Sequence, residues 1–170
     1  GLVGDLRTVS IQAESFDVIY CSYVLEHIPN PSVVLSQFMK WLRPGGSIII
    51  KIPDPRSAHG FITKVTPHWF HVLFYRYIVG YKEAGQPGHG PYETFYDVAV
   101  SRPGIREFCR LNGLSVELEV GIADMAKYGR WKRWIVRSAR RMISVASFGS
   151  LSSRHGNLLF VLAKPAYSEY

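Results

Sequence analysis

Apolar residues in this chain fall into runs and stripes whose spacing alternates between that of strands and that of helices. Residues 16–22 form a short apolar run with β-branched and aromatic side chains, and residues 48–52 form one rich in isoleucine, so both are predicted to be buried strands. A helix is predicted between these two strands. Asn30 is suited to be its N-cap and Pro31 its first residue, and the Pro-Gly-Gly at 44–46 is predicted to end it. Its apolar positions recur at helical spacing: Val34, Leu35, Phe38, Met39, Trp41 and Leu42. Strand, helix and strand in this order predict a right-handed crossover between neighbouring parallel strands.

The same alternation resumes after an interruption. Residues 55–100 are rich in His, Tyr, Phe, Gly and Pro, and we expect an insertion there, with a short helix over about 67–79. The later predicted elements are a helix from Ser101 to Asn112-Gly113, a half-exposed strand at 114–122, a basic amphipathic helix at 125–146 and an apolar strand at 157–163. This order predicts the C-terminal half of a doubly wound α/β sheet, within one domain of residues 1–170.

The charge of the chain is concentrated near its C-terminus. Residues 1–124 carry 11 Lys/Arg and 12 Asp/Glu, whereas residues 125–170 carry 9 Lys/Arg and one acid, within a net charge of +7. This asymmetry weakens any argument that the whole domain binds nucleic acid, and no nucleic-acid motif is present. Cys21 and Cys109 form no disulfide framework, which favours a reducing, cytoplasmic compartment. We find no histidine or cysteine spacing that predicts a metal site.

The basic segment at 125–146 is open to three interpretations. It holds seven Lys/Arg between Lys127 and Arg141, beside an approximate apolar stripe of Trp131, Trp134, Ile135, Ala139 and Met142. The first interpretation is a helix packed on the domain, with its cations in water. The second is peripheral contact with a membrane surface through tryptophan and cations. The third is contact with an anionic substrate or a nucleic acid.

The stretch FDVIYCSYVLEHIPNPSVVLSQFMKWLRPGGSIIIKIP at 16–53 resembles the middle of class I S-adenosylmethionine-dependent methyltransferases, specifically the type 11 branch. The resembling features are FDVI, then VLEH, then a helix that ends in LRPGG, then an apolar strand and a proline. The match covers about residues 1–54. It implies a Rossmann-like fold, S-adenosylmethionine as cofactor and methyl transfer as activity. The later part resembles the family in order of elements, with 114–122 and 157–163 in the place of its final antiparallel strands.

The resemblance also assigns cofactor-binding residues. The Gly-Asp-Leu turn resembles the family's adenine site, where the Asp5 carboxylate would accept from the adenine amino group and the Leu6 backbone N–H would donate to the ring. Cys21, Ser22 and Tyr23 end the first strand and would face the methionine part of the cofactor. The family's glycine-rich turn and second-strand acid have no counterpart in this sequence. The chain therefore resembles the C-terminal portion of a methyltransferase, and we expect residues upstream to complete the site.

A hydroxyl acceptor would need a base to take its proton. For His27, within VLEH, the alternative is a structural role beneath the cofactor turn. His68 can share a helix face with His71, and the alternative to a functional role for this pair is aromatic packing. Tyr92 and Tyr96 lie with two further candidates in the predicted insertion, and loops of this kind often contact substrate. The candidate bases are His27, His68, His89 and Asp97.

Two functions stay open from the sequence. One is an enzyme that methylates a small-molecule, glycan or lipid-linked acceptor; the Gly-Asp-Leu turn and the strand-end residues favour it. The other is a degenerate methyltransferase-like module that binds a partner or a membrane through the basic helix; the missing glycine-rich turn favours it. We expect S-adenosylhomocysteine to bind this chain weakly, and to bind clearly once upstream residues are restored.

The strand at 16–22 is also predicted to have an unpaired edge, because in the family it pairs with the first strand. An apolar edge without a neighbour promotes self-association. We therefore predict that the isolated chain self-associates through this edge.

Overall fold

The computed structural model describes residues 1–95, 97–123 and 129–166. In chain order, the strands and α-helices of this part are β1 (Phe16–Ser22), α1 (Pro31–Trp41), β2 (Leu42–Pro53), α2 (Ala58–Val65), α3 (His68–Leu73), α4 (Arg102–Asn112), β3 (Ser115–Ile122), α5 (Arg130–Ala146) and β4 (Asn157–Ala163). Short 3-10 turns occur at Leu25–His27 and Val98–Val100, and a π-helical turn at Phe74–Val79 extends α3.

The four strands form one sheet in the order β1-β2-β4-β3. β1 and β2 are parallel, with Cys21 opposite Ile50. β2 and β4 run in opposite directions, since the Lys164 N–H donates to the Gly46 carbonyl near the start of β2 while the Gly156 carbonyl accepts from the N–H of Asp54 beyond its end, both at 2.9 Å. This mixed sheet confirms the predicted α/β class with an antiparallel last strand.

Strands and a helix occur within residues 16–53 where the pattern predicts them, with two differences at the ends of the helix and a third in the exposure of β1. Asn30 precedes α1 in the left-handed region (φ 56°, ψ 58°) and its side chain makes no capping hydrogen bond, so the predicted cap is wrong in detail. α1 ends at Trp41 and β2 begins at Leu42, so the Pro-Gly-Gly segment lies within the strand. Gly46 is required there because a Cβ would lie 2.8 Å from the Asp17 carbonyl oxygen.

The chain divides into two compact units. The first comprises Gly1–Ile52, Asp97–Val120 and Leu158–Tyr170, and the second comprises Pro53–Tyr96 and Gly121–Asn157. The single domain of residues 1–170 stays a prediction.

The core of the first unit lies where helices α1 and α4 cover the sheet. Its fully buried side chains each contribute about 1.5–3 kcal/mol of apolar burial, and they hold the strand ends in fixed positions. They come from α1, α4, β2 and β4: Val34, Leu35, Ile48, Ile50, Ile52, Ile105, Leu158, Phe160 and Leu162. The predicted caps of α4 are confirmed: the Ser101 hydroxyl accepts from the Gly104 N–H (3.2 Å), and Gly113 ends the helix with φ 66°.

The second unit holds α2, α3 and α5. Helix α2 lies inside the predicted insertion and was not predicted; the Ser57 hydroxyl caps it by accepting from the Gly60 N–H at 2.9 Å. The predicted helix over about 67–79 corresponds to α3 and its π-helical extension. Helix α5 begins at Arg130, and residues 125–128 of the predicted basic helix lie outside the described residues. None of the helices in the described part of the chain has the length and apolar character that a membrane crossing requires.

β1 is an edge strand, with β2 as its neighbour in the sheet. Phe16, Val18 and Tyr20 alternate along it and are exposed, while Cys21 is its buried residue, so the predicted burial of this strand is wrong. A strand at the edge of the sheet has one neighbour, which leaves these side chains uncovered. The predicted self-association requires such an exposed edge strand. The association itself stays a prediction.

Candidate functional site

The carboxyl ends of β1 and β2 lie at one edge of the sheet because the two strands are parallel. Ser22 stands opposite Lys51, and Tyr23 leaves the strand with φ 54° while its N–H donates to the Lys51 carbonyl at 2.9 Å. The Lys51 ammonium lies 4.8 Å from the centre of the Tyr23 ring, a cation–π distance. The predicted strand-end residues Cys21, Ser22 and Tyr23 are therefore adjacent at the edge where such sheets place ligands.

The turn after β1 buries a carboxyl group. Glu26 is 4% exposed, and among the described residues no donor reaches its Oε2 atom. Burial raises the pKa of Glu26 above its ordinary value, against a smaller lowering by its own backbone N–H. The His27 Nε2 atom lies 3.9 Å from Glu26 Oε1, so the predicted candidate base His27 flanks this carboxyl.

Burial also governs the chemistry of Cys21. Desolvation, reinforced by the nearby Glu26 carboxyl, raises the pKa of the Cys21 thiol to about 11. The thiol is therefore protonated at neutral pH and is a weak nucleophile. Cys21 is best suited to pack beneath a ligand.

Asp5 lies in a turn of its own, which its carbonyl closes by accepting from the N–H groups of Thr8 and Val9. The Arg7 backbone N–H and guanidinium Nε both donate to the Asp5 carboxylate, at 2.9 and 3.0 Å. These hydrogen bonds lower the pKa of Asp5 to about 2, so the group is an anion at neutral pH. Leu6 packs against the core. An adenine amino group would have to share the carboxylate with Arg7, and the predicted adenine contact of Asp5 and Leu6 stays a prediction.

Asp97 caps the 3-10 turn Val98–Val100, since its Oδ1 atom accepts from the Ala99 N–H at 2.8 Å. This contact gives Asp97 a structural role. Its predicted role as a base stays a prediction.

Two predicted histidines line one shallow cavity of the second unit. The cavity has a volume of ≈ 350 Å³, and His68, His89 and Tyr92 contribute to its wall. The His89 Nδ1 atom lies 2.7 Å from the Tyr81 hydroxyl and 3.7 Å from a Glu83 carboxylate oxygen. Imidazole, phenol and carboxylate groups together can bind a polar or aromatic molecule and move a proton.

The other two residues considered for this region are His71 and Tyr96, and His71 is not among those that line the cavity. The His71 Nε2 atom lies 2.9 Å from the Thr66 hydroxyl, so His71 ties α3 to the end of α2. Tyr96 lies outside the described residues.

A hydrogen-bonded chain of Ser, His and Asp was missed from the sequence. Asp54 directly follows β2 and is buried, and its Oδ2 atom lies 2.7 Å from His155 Nε2. The His155 Nδ1 atom lies 3.1 Å from the Ser152 hydroxyl, while the Arg56 N–H donates to Asp54 Oδ1 at 2.8 Å. These hydrogen bonds hold the segment that follows β2 in place. Residues so far apart in sequence form no spacing motif, so no pattern signals the contact.

Among the residues that the structure describes, no three or more His, Cys, Asp or Glu side chains are grouped to hold a metal ion.

Comparison with known proteins gives a consistent family. A family model described as a methyltransferase domain matches residues 6–102, more than half of the chain. The chain is 33% identical over 61 residues to the ubiquinone biosynthesis O-methyltransferase of Photobacterium profundum; the match covers 34% of this chain and 26% of that protein. It is 40% identical over 48 residues to phosphoethanolamine N-methyltransferase 1 of Arabidopsis thaliana, covering 28% of this chain and 10% of that protein.

Solved structures share the fold at low identity. The methyltransferase in complex with the Trm112 methyltransferase activator of Haloferax volcanii superposes with a TM-score of 0.56 at 17% identity, covering 99% of this chain and 62% of that one. An S-adenosylmethionine-dependent methyltransferase of Thermotoga maritima gives a TM-score of 0.53 at 16% identity, covering 96% of this chain and 63% of that one. The chain thus spans less than two thirds of the length of each of these relatives.

Proposed function

The chain belongs to the S-adenosylmethionine-dependent class I methyltransferase family, and on this premise we propose that it takes part in methyl transfer to an oxygen or nitrogen atom of an acceptor. The observation that carries the proposal is the carboxyl end of β1, where Cys21, Ser22 and Tyr23 adjoin the buried Glu26. The type 11 branch and a cytoplasmic location are parts of the proposal.

The residues at this edge fit the cofactor. When bound, S-adenosylmethionine supplies an electrophilic methyl group on a cationic sulfonium. A buried carboxyl with no donor to one oxygen in the described part of the chain is suited to a cationic ligand, which would favour the ionised form of Glu26. The Ser22 hydroxyl and the Tyr23 ring supply a hydrogen bond and an apolar wall. The work of the protein is to position the acceptor and to exclude water.

The acceptor is proposed by class. We propose a small-molecule, glycan or lipid-linked acceptor. The relatives include an O-methyltransferase of ubiquinone biosynthesis and a phosphoethanolamine N-methyltransferase, and these names favour the small-molecule class. The cavity of His68, His89 and Tyr92 is the proposed acceptor-binding surface of the second unit. For a hydroxyl acceptor, His27, His68, His89 and Asp97 are the candidate bases, and His89 is favoured because its ring is already oriented by Tyr81.

Calorimetric titration with S-adenosylhomocysteine tests the proposal on this chain and on any longer natural polypeptide found to contain it. Asp5→Asn removes the charge that would accept from the adenine amino group, and loss of a charge-assisted hydrogen bond weakens binding by about tenfold or more. Asp17→Asn is the matched control, because Asp17 makes a similar exposed ion pair with Arg43 at 2.8 Å. We expect the control to bind within about twofold of the parent chain.

The outcomes separate the alternatives. Equal affinities of the two variants would refute the role of Asp5 while leaving the family assignment intact. Absence of binding to both polypeptides would refute cofactor binding and favour the degenerate module.

A further inference from the structure

Helix α5 turns its apolar stripe away from the protein. Trp131 and Trp134 are 66% and 71% exposed, and the other large side chains of the stripe, Ile135 and Met142, are exposed as well. Val145, which extends the stripe by about one turn, is also exposed. At 100° per residue these five side chains fall within an arc of about 100°. Phe148, just beyond the helix, is fully exposed. The structure therefore does not bury the stripe as the first interpretation of this segment requires.

A row of arginines borders the stripe. Arg130, Arg133, Arg137 and Arg141 recur at intervals of three and four residues, so they fall within a neighbouring arc of about 80°. The helix as a whole carries six Lys/Arg and no Asp or Glu. An uncovered apolar surface next to a purely cationic one is complementary to a surface that is apolar inside and anionic outside.

The opposite side of α5 is the one that contacts the protein. α5 packs on α2, and Arg140 is its buried residue. The Lys132 ammonium donates to the Ile78 carbonyl of the π-helical turn. The orientation of the helix within its unit is thus fixed by contacts that leave the stripe outward.

Three of the arginines also share a cavity. Arg130, Arg133, Arg137 and Trp134 line a shallow depression of ≈ 270 Å³. Guanidinium groups bind phosphate oxygens through paired N–H donors, and the indole of Trp134 lies on the wall toward the stripe. A phosphate group beside an apolar phase would satisfy both parts of this depression.

We propose that α5 docks the chain on the surface of an anionic lipid bilayer. The apolar stripe enters the boundary between headgroups and acyl chains, where tryptophan is favoured. The arginine row remains at headgroup level, and the depression takes a lipid phosphate. Docking is independent of the proposed methyl transfer.

Co-sedimentation with phosphatidylcholine vesicles, with and without phosphatidylglycerol, tests the proposal on the whole chain. We expect binding that requires phosphatidylglycerol and weakens with added salt. Arg133→Gln/Arg137→Gln should lower the partition coefficient by about 30-fold, at about fivefold per cation. Its control, Arg56→Gln/Arg154→Gln, removes the same charge elsewhere in the unit and should change binding much less.

The apolar half of the proposal has its own variants. Trp131→Gln/Trp134→Gln should lower partitioning at least about tenfold, since each indole buries a large area. The control is Val98→Gln/Leu111→Gln, at positions 76% and 67% exposed outside α5, and it should bind like the parent chain. Circular dichroism verifies the fold of each variant. Should the tryptophan variant misfold, the arginine pair decides alone.

Three results would overturn the proposal. The first is equal binding to both kinds of vesicle, and the second is equal loss in the arginine variant and its charge control. The third is retention of an RNA or DNA oligonucleotide without vesicle binding, which would assign the cations to nucleic acid.

Discussion

Gly121 offers a sharp test of the contacts in the second unit. A Cβ atom at this position of β3 would stand 2.5–2.9 Å from three ring atoms of His155. The ring has little freedom to withdraw, because Nε2 is bonded to Asp54 at 2.7 Å and Nδ1 to Ser152 at 3.1 Å. Gly121→Ala therefore forces either a steric overlap or the loss of these hydrogen bonds.

Both routes lead to a similar magnitude. Inserting a methyl group into a packed site destabilises by about 1–3 kcal/mol, and leaving the buried Asp54 carboxylate short of a donor costs about 1–3 kcal/mol. The smaller conformational entropy of unfolded alanine offsets about 0.5–1 kcal/mol of this. We expect Gly121→Ala to lower the free energy of unfolding by about 1–2 kcal/mol.

Urea denaturation followed by circular dichroism measures the change. Gly4→Ala is the control, because its Cβ would meet Val9 at 3.4 Å, close to ordinary contact, and it should change stability by less than about 0.5 kcal/mol. In a His155→Ala background the steric partner is gone, so Gly121→Ala should cost little there. The reasoning would be refuted if Gly121→Ala lowered the free energy of unfolding equally with and without His155, or if the two glycine substitutions had equal effects. Either result would show that the hydrogen bonds do not hold the histidine ring in place.

Two further predictions follow from buried ionisable groups. Burial raises the pKa of Glu26, so its contribution to stability is full below its unfolded pKa and is lost as the pH rises through the folded value. Glu26→Gln should therefore match the parent chain at low pH and become the more stable of the two as the pH rises from about 4 to about 8; urea midpoints across this range measure it, and a pH-independent difference would contradict the burial of the carboxyl. The pKa of the Cys21 thiol is raised to about 11 and burial also raises that of Cys109, so iodoacetamide at about pH 8 should label the two thiols in the denatured chain and spare them in the folded one. Mass spectrometry after brief exposure decides, and rapid labelling of Cys21 in the folded chain would count against the burial described.

Local sequence patterns predicted most of the helices and strands of the first unit. The apolar run of β2 and the helical stripe of α1 bury most of the residues that the spacing predicts, and Ser101 and Gly113 bound α4 as expected, whereas β1 is mostly exposed. These features depend on residues close together in sequence, so a short segment of sequence is enough to predict them.

What the sequence missed depends on contacts between distant segments. Asp54 and His155 are 101 residues apart, so nothing in either neighbourhood announces their hydrogen bond. Glu26 and His27 are neighbours in sequence, yet the turn buries the Glu26 side chain and leaves that of His27 partly exposed. The stripe of α5 is visible in the sequence, but the side of the helix that meets the protein is decided by α2 and the π-helical turn.

The position of β4 has a consequence for how the chain is made. Its residues, 157–163, come late in the sequence, yet they form an inner strand between β2 and β3. During synthesis β3 can find its place only after the ribosome has extended the chain past Ala163, and until then Ile48, Ile50 and their neighbours lack Phe160 and Leu162 as packing partners. A premature stop codon a few residues before Asn157 would therefore remove the strand that joins β3 to β2, and β3 would lose this neighbour in the sheet.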